Sequence, residues 1–137
     1  MTVVLDTNVI VAAVVANGLC RELVHRTIRQ RVLATSDALL DELDATLRDK
    51  FAVTPAVAAF IDLFRASIRL VDPKPLPARV CRDASDDVVL AMAVAAAADA
   101  IVTGDQDLLV LGSYAGIGIV SPRAFLEGLD RILDQDK

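Results

Sequence analysis

Four short runs along the chain are apolar, small or β-branched at every position: Thr2–Leu5, Val32–Thr35, Ala100–Thr103 and Ile117–Val120. A strand with one wet face alternates apolar and polar residues. These runs do not, so they call for burial on both faces, as in a parallel sheet. Between them lie segments of helical length and period. Parallel strands joined by helical crossovers form a doubly wound α/β layer, with helices on both faces of the sheet.

The intervening segments carry helix signals of their own. Apolar and small residues continue from Val9 to Val15 after a turn at Asp6-Thr7-Asn8, and Gly18 breaks the run. Arg21–Arg31 places Leu23, Val24, Thr27 and Ile28 on one face. Ser36 is a helix N-cap, with Asp37 in the first turn and Leu39, Leu43 and Leu47 recurring every four residues. Thr54-Pro55 opens another helix, whose apolar stripe is Val57, Phe60, Ile61, Phe64 and Ile68. Asp72–Pro77 holds three prolines and is a connector. Ser85 is expected to cap a helix from about Asp86 to Ala98. Ser121-Pro122 starts a last helix with Phe125, Leu126, Leu129, Ile132 and Leu133 facing inward. No composition shift or linker marks a boundary, so residues 1–137 are expected to form one domain.

Hydrophobic residues make up 55% of the chain but aromatics only 4%, so the core must be built from Ala, Val and Leu. Several functional classes drop out on residue type. Cys20 and Cys81 are too few and too far apart for a zinc site or a disulfide framework, and read as core-filling thiols. His25 is the only histidine, and it sits among arginines on a helix surface, which removes multi-histidine metal sites. The longest charge-free apolar stretch, Val88–Ala98, is too short to span a bilayer. The first residues lack the basic segment of a signal peptide, so the expected location is the cytoplasm, with no membrane partner. A net charge of −5 disfavours nucleic-acid binding overall, but Arg21, Arg26, Arg29 and Arg31 form one basic cluster and Arg65 and Arg69 another.

The acids fall where a parallel sheet places its ligands, at the carboxyl ends of the strands. Asp6 follows the first strand and Asp105 follows the strand Ala100–Thr103. A helix that precedes a parallel strand starts at the same edge, which brings the doublet Asp86-Asp87 there as well. Asp86 is read as a complement to the helix dipole, and Asp87 as able to join Asp6 and Asp105 in one cleft. At 100° per residue, Glu42 lies on the border of the arc formed by Leu39, Leu40, Leu43 and Leu47, where it reaches a cleft beside the core. Carboxylates crowded in one cleft stay ionised only with a compensating cation, and hard oxygen ligands suit magnesium or manganese.

The ordered set Val4-Leu5-Asp6-Thr7-Asn8, Ser36 followed by Glu42, Asp87 opening a helix, and Val102-Thr103-Gly104-Asp105-Gln106-Asp107-Leu108 resembles the PIN domain family. With Cys81-Arg82-Asp83 ahead of the acidic doublet, the chain is similar to bacterial and archaeal PIN proteins regarded as toxins of toxin–antitoxin pairs, relatives of the VapC-type toxins. The resemblance implies a three-layer fold with sheet order 3-2-1-4-5. It makes Asp6, Glu42, Asp87 and Asp105 the catalytic acids, with Asp6, Asp87 and Asp105 holding Mg2+ or Mn2+. Thr7, Asn8, Thr103 and Asp107 would support them. The implied activity is metal-dependent hydrolysis of RNA that leaves a 5′-phosphate and a 3′-hydroxyl, restrained by a cognate antitoxin, in a chain able to form a homodimer. The alternative within the same family is a silent PIN fold kept for binding or assembly.

Two other modules with this layering fit less well. A receiver domain needs an acid pair after its first strand and a lysine after its last, and a haloacid-dehalogenase-like phosphatase needs Asp-x-Asp after the first strand. Here Asp6 stands without a second acid beside it, and no lysine comes just after Ile117–Val120.

Overall fold

In the computed structural model, backbone structure is described for residues 1–135 and side chains for residues 1–129. Ile132 and Leu133, expected to face inward, lie outside the described side chains. The elements in chain order are β1 (Val3–Leu5), α1 (Thr7–Val15), α2 (Leu19–Gln30), β2 (Ala34–Thr35), α3 (Asp37–Lys50), α4 (Pro55–Ala66), β3 (Arg69–Leu70), α5 (Ala84–Ala95), β4 (Ala100–Val102), α6 (Gln106–Leu109), β5 (Ser113–Tyr114), β6 (Ile117–Val120) and α7 (Pro122–Gln135).

The result is a mixed α/β fold with a central, mostly parallel sheet flanked by helices. Strands β1, β4, β6 and β5 pair in that order, with β1–β4 and β4–β6 parallel and β5–β6 antiparallel. Strands β2 and β3 form a separate parallel pair. A single parallel bridge between Val3 and Leu33 joins that pair to β1, and Val3 N–H donates to Val32 O at 2.8 Å. The expected order 3-2-1-4-5 is therefore modified in two ways. The 2–1 contact is one bridge rather than a ladder, and an antiparallel edge strand is added beyond β6.

Expected caps are in place at three helices. The Ser36 hydroxyl accepts from Leu39 N–H, that of Thr54 from Val57 N–H, and that of Ser121 from Ala124 N–H. The helix α5 differs, starting at Ala84 and capped by Asp83 instead of Ser85. Its cap side chain accepts from both the N–H and the hydroxyl of Ser85. The hairpin between β5 and β6 turns through Ala115 and Gly116, both at positive φ (51° and 81°). Two positive φ values match the twist of the flanking strands.

One hydrophobic cluster runs through the molecule. Val3, Val4, Ile101 and Val102 from the sheet are fully buried between Ile10, Leu23, Val24, Leu43 and Leu90 of the helices. Phe125, Leu126 and Leu129 of α7 face inward as expected. Cys81 is buried and Cys20 half-buried, both as free thiols. Among the described residues, no single helix is long and apolar enough to cross a membrane.

Candidate metal centre

From β1 the chain moves to β2 on one side, whereas β4 and β6 lie on the other. The switch point of the topology is therefore between β1 and β4, and open α/β sheets bind ligands outside the carboxyl ends of strands at such a point. Asp6 leaves β1 there, and its N–H donates to Val102 O of β4 at 3.0 Å.

Thr103 ties the two strand ends together. Its hydroxyl donates to Asp6 Oδ2 at 2.8 Å and accepts from Asp105 N–H at 3.0 Å. The side chain is fully buried, so this one hydroxyl sets the position of both acids. Asp105 caps α6, its Oδ1 accepting from Asp107 N–H at 2.9 Å. Thr7 is buried beside Asp6, and its N–H donates to the Asp6 carboxylate.

A polar cleft of about 140 Å³ opens over these groups. It is lined by Asp6, Thr7, Asn8, Glu42, Asp83, Ser85, Asp86, Val89 and Asp105. The site expected from the sequence is thus brought together in three of its four acids, from β1, α3 and the end of β4. The third expected acid, Asp87, is not among the residues that line the cleft. Asp86 faces the cleft and is buried, whereas Asp87 turns away. The Asp87 carboxylate accepts from Cys81 N–H at 2.8 Å and from Val80 N–H at 3.2 Å, and it lines a separate groove under the proline-rich connector. Adjacent helix positions diverge by about 100°, so only one member of a doublet can enter the cleft.

The electrostatics separate the two residues in the same way. Burial pushes the Asp86 carboxyl up to about 6, aided by the charge of Asp105, a hydrogen bond with it, and the charges of Asp83 and Asp6. Burial also raises Asp6, opposed by the Thr103 hydroxyl and Thr7 N–H and reinforced by Asp105. Desolvation works to raise Asp87, but the Cys81 and Val80 N–H groups outweigh it and hold the carboxyl below the ordinary value. The Cys81 thiol is pushed up to about 11 by burial and by its acidic neighbours, Asp87 first. It is therefore no thiolate nucleophile at neutral pH.

Oxygens of Asp86, Asp105 and Asp107 lie within 4.8 Å of one another, a spacing that a single cation can bridge. Asp107, expected only as a supporting residue, belongs to this group, and Asp87, expected as a metal ligand, does not. Donors that are all carboxylate, mutually repelling and partly withdrawn from water fit a hard divalent cation.

A sequence signal for Asp86 did exist. The buried positions Val89, Leu90, Ala93 and Ala96 stand three, four, seven and ten residues after it, so Asp86 begins the inward stripe of α5. Because Val88 and Val94 are also apolar but exposed, that stripe is masked in the composition of the helix.

The basic clusters are placed differently from the acids. Arg21 is bound to the end of α1, with Nε 2.9 Å from Ala13 O and Nη2 3.0 Å from Val14 O. Arg26 pairs with Glu22 at 3.9 Å. Arg29 and Arg31 stand where α2 runs into β2, at the amino edge of the sheet and away from the acids. Arg65 pairs with Asp44, and Arg69 donates to Ala96 O at 2.9 Å.

A PIN domain family model matches residues 2–107, and the chain belongs to that family. No curated protein matches it. PIN domains are generally metal-dependent nucleases, so membership points to a nuclease-type function, and the acidic cluster is compatible with it.

Proposed function

We propose that this protein is an Mg2+- or Mn2+-dependent endoribonuclease whose reacting centre is the cleft between β1 and β4. The observation that carries the proposal is the convergence of Asp6, Glu42, Asp86 and Asp105, drawn from four separate parts of the chain, on one polar cleft at the switch point.

The chain's own residues divide the work. Asp86 and Asp105, with Asp107 beside them, would hold the cation, and Asp6 lines the same cleft from the end of β1. When bound, the ion supplies a Lewis acid that activates water at neutral pH and stabilises charge on the scissile phosphate. Thr103 keeps Asp6 and Asp105 in register through its two hydrogen bonds. Glu42 stands on the α3 wall of the cleft and is exposed, suited to orient an attacking water and accept its proton.

The biological setting follows from the resemblance to toxin relatives: a cytoplasmic toxin, active on single-stranded RNA, inhibited by a cognate antitoxin and able to form a homodimer. An antitoxin side chain of basic character inserted among these acids would compete with the cation. The test is incubation of purified protein with RNA in Mg2+ or Mn2+, followed by mapping of the ends. Products with 5′-phosphate and 3′-hydroxyl termini that disappear in Asp105→Asn support the mechanism. Equal growth inhibition by wild type and Asp105→Asn in the same host contradicts the toxin role.

A further inference from the structure

We propose, on the nuclease reading above, that Arg82 is the residue that receives a phosphate of the RNA at this cleft, and that in the metal-free protein it is parked on Asp107. The Arg82 Nη2 atom lies 2.6 Å from Asp107 Oδ1, and the Arg82 side chain is 85% exposed. Asp107 is one of the three acids whose oxygens approach within 4.8 Å. The guanidinium is thus docked on the rim of the cation-binding group, with most of its surface in water.

Six other arginines are engaged or placed elsewhere. Arg21 and Arg69 are hydrogen-bonded to backbone carbonyls, and Arg65 is paired with Asp44. Arg29 and Arg31 stand at the opposite edge of the sheet. Arg79 is spent on the loop itself, its Nε donating to Cys81 O at 3.1 Å and its Nη2 to Arg82 O. That brace fixes the backbone of Arg82 next to Asp83, which lines the cleft, and does not engage its guanidinium, which is held by the ion pair with Asp107.

The chemistry suits the task. A guanidinium presents five N–H donors in a planar fork that matches two phosphate oxygens at once. A carboxylate whose charge is taken up by a divalent cation holds an arginine less strongly. Arg82 is then released beside the place where the cation and the phosphate meet. The same residue therefore screens the acids when the site is empty of cation and grips substrate when it is loaded.

The experiment compares wild type, Arg82→Ala and Arg82→Lys, with melting curves to establish that all three fold. Mn2+ binding is measured by calorimetry without RNA. Binding of a single-stranded RNA with phosphorothioate linkages is measured by fluorescence anisotropy in Mn2+. Arg82→Ala is expected to bind Mn2+ about two- to fivefold tighter, because an exposed competing cation is gone. It is expected to bind the RNA about tenfold more weakly, with a salt slope smaller by about one. Arg82→Lys keeps the charge, so its Mn2+ affinity stays near wild type, while the loss of the fork leaves RNA affinity in between. Unchanged Mn2+ affinity or unchanged RNA affinity in Arg82→Ala overturns the role of Arg82 alone. Absence of Mn2+ binding in wild type overturns the nuclease reading, and this role falls with it.

Discussion

Replacing Asp86 by asparagine should stabilise the metal-free protein, although it removes a residue central to the proposed chemistry. The carboxyl is raised from 3.8 to about 6, with burial as the largest cause and Asp105, Asp83 and Asp6 adding to it. A group with a raised folded-state value is protonated in both states at low pH and carries no penalty there. As pH climbs from about 4 to about 6 the unfolded chain ionises more easily than the folded one, so stability is lost across that window and stays lost above it. Each unit is worth about 1.4 kcal/mol. The cleft is open to water, so the full product is reduced to about 1–2 kcal/mol. In a chain of this size that is roughly 3–6 °C in melting temperature. The assay is thermal unfolding by circular dichroism with chelator present, at pH 7.5 and at pH 4. Asp86→Asn should melt higher than wild type at pH 7.5, and the gap should shrink at pH 4. Asp87→Ala should melt lower at pH 7.5, since it abandons the N–H groups of Val80 and Cys81. Equal melting of wild type and Asp86→Asn at pH 7.5, or a gain in Asp87→Ala, would refute the placement of the two acids.

Thr103→Val removes a fully buried hydroxyl that serves Asp6 and Asp105. It should cost about 1–3 kcal/mol by chemical denaturation and lower cleavage as the two strand ends lose register. Asp6→Asn should stay folded yet lose the melting shift given by Mg2+ or Mn2+. A cation at 100 times its dissociation constant would give wild type about 2.7 kcal/mol, and an unchanged shift in the variant would count against Asp6 in the site. Charge removal at Arg29 and Arg31 together should leave RNA cleavage within about twofold of wild type in a salt titration, because the pair stands where α2 runs into β2, at the other edge of the sheet from the acids, and salt screens exposed charges. A large loss would mean that the amino edge of the sheet also contacts RNA.

Much of this architecture was readable from residue patterns because the strong local signals agree with the tertiary fold. The all-apolar runs ending in Asp6 and Thr103-Gly104-Asp105 mark parallel strands feeding one edge, and Ser36, Thr54 and Ser121 cap the helices expected of them. What was hidden is set by contacts distant in sequence. The two-residue strands β3 and β5 carry no periodicity, and Arg69 and Leu70 of β3 are both exposed. The choice between Asp86 and Asp87 turned on the loop at Val80 and Cys81, whose N–H groups claim Asp87, and on a cap shifted to Asp83. The first basic cluster is plain in the chain, but its place relative to the acids is not. Its fate depended on where α2 ends relative to the sheet, which spacing alone does not reveal.

The central claim is that a cation held by Asp86 and its neighbours in the β1–β4 cleft drives RNA hydrolysis. It is tested most directly by single-turnover cleavage of a labelled single-stranded RNA in Mn2+ by wild type, Asp86→Asn and Asp87→Asn. Wild type should cleave and stop when chelator is added. Asp86→Asn should lose at least about a hundredfold in rate, as expected when a group acting on the reacting centre is removed, while Asp87→Asn stays within a few fold of wild type. Cleavage that persists in chelator, or an inactive Asp87→Asn beside an active Asp86→Asn, would contradict the account.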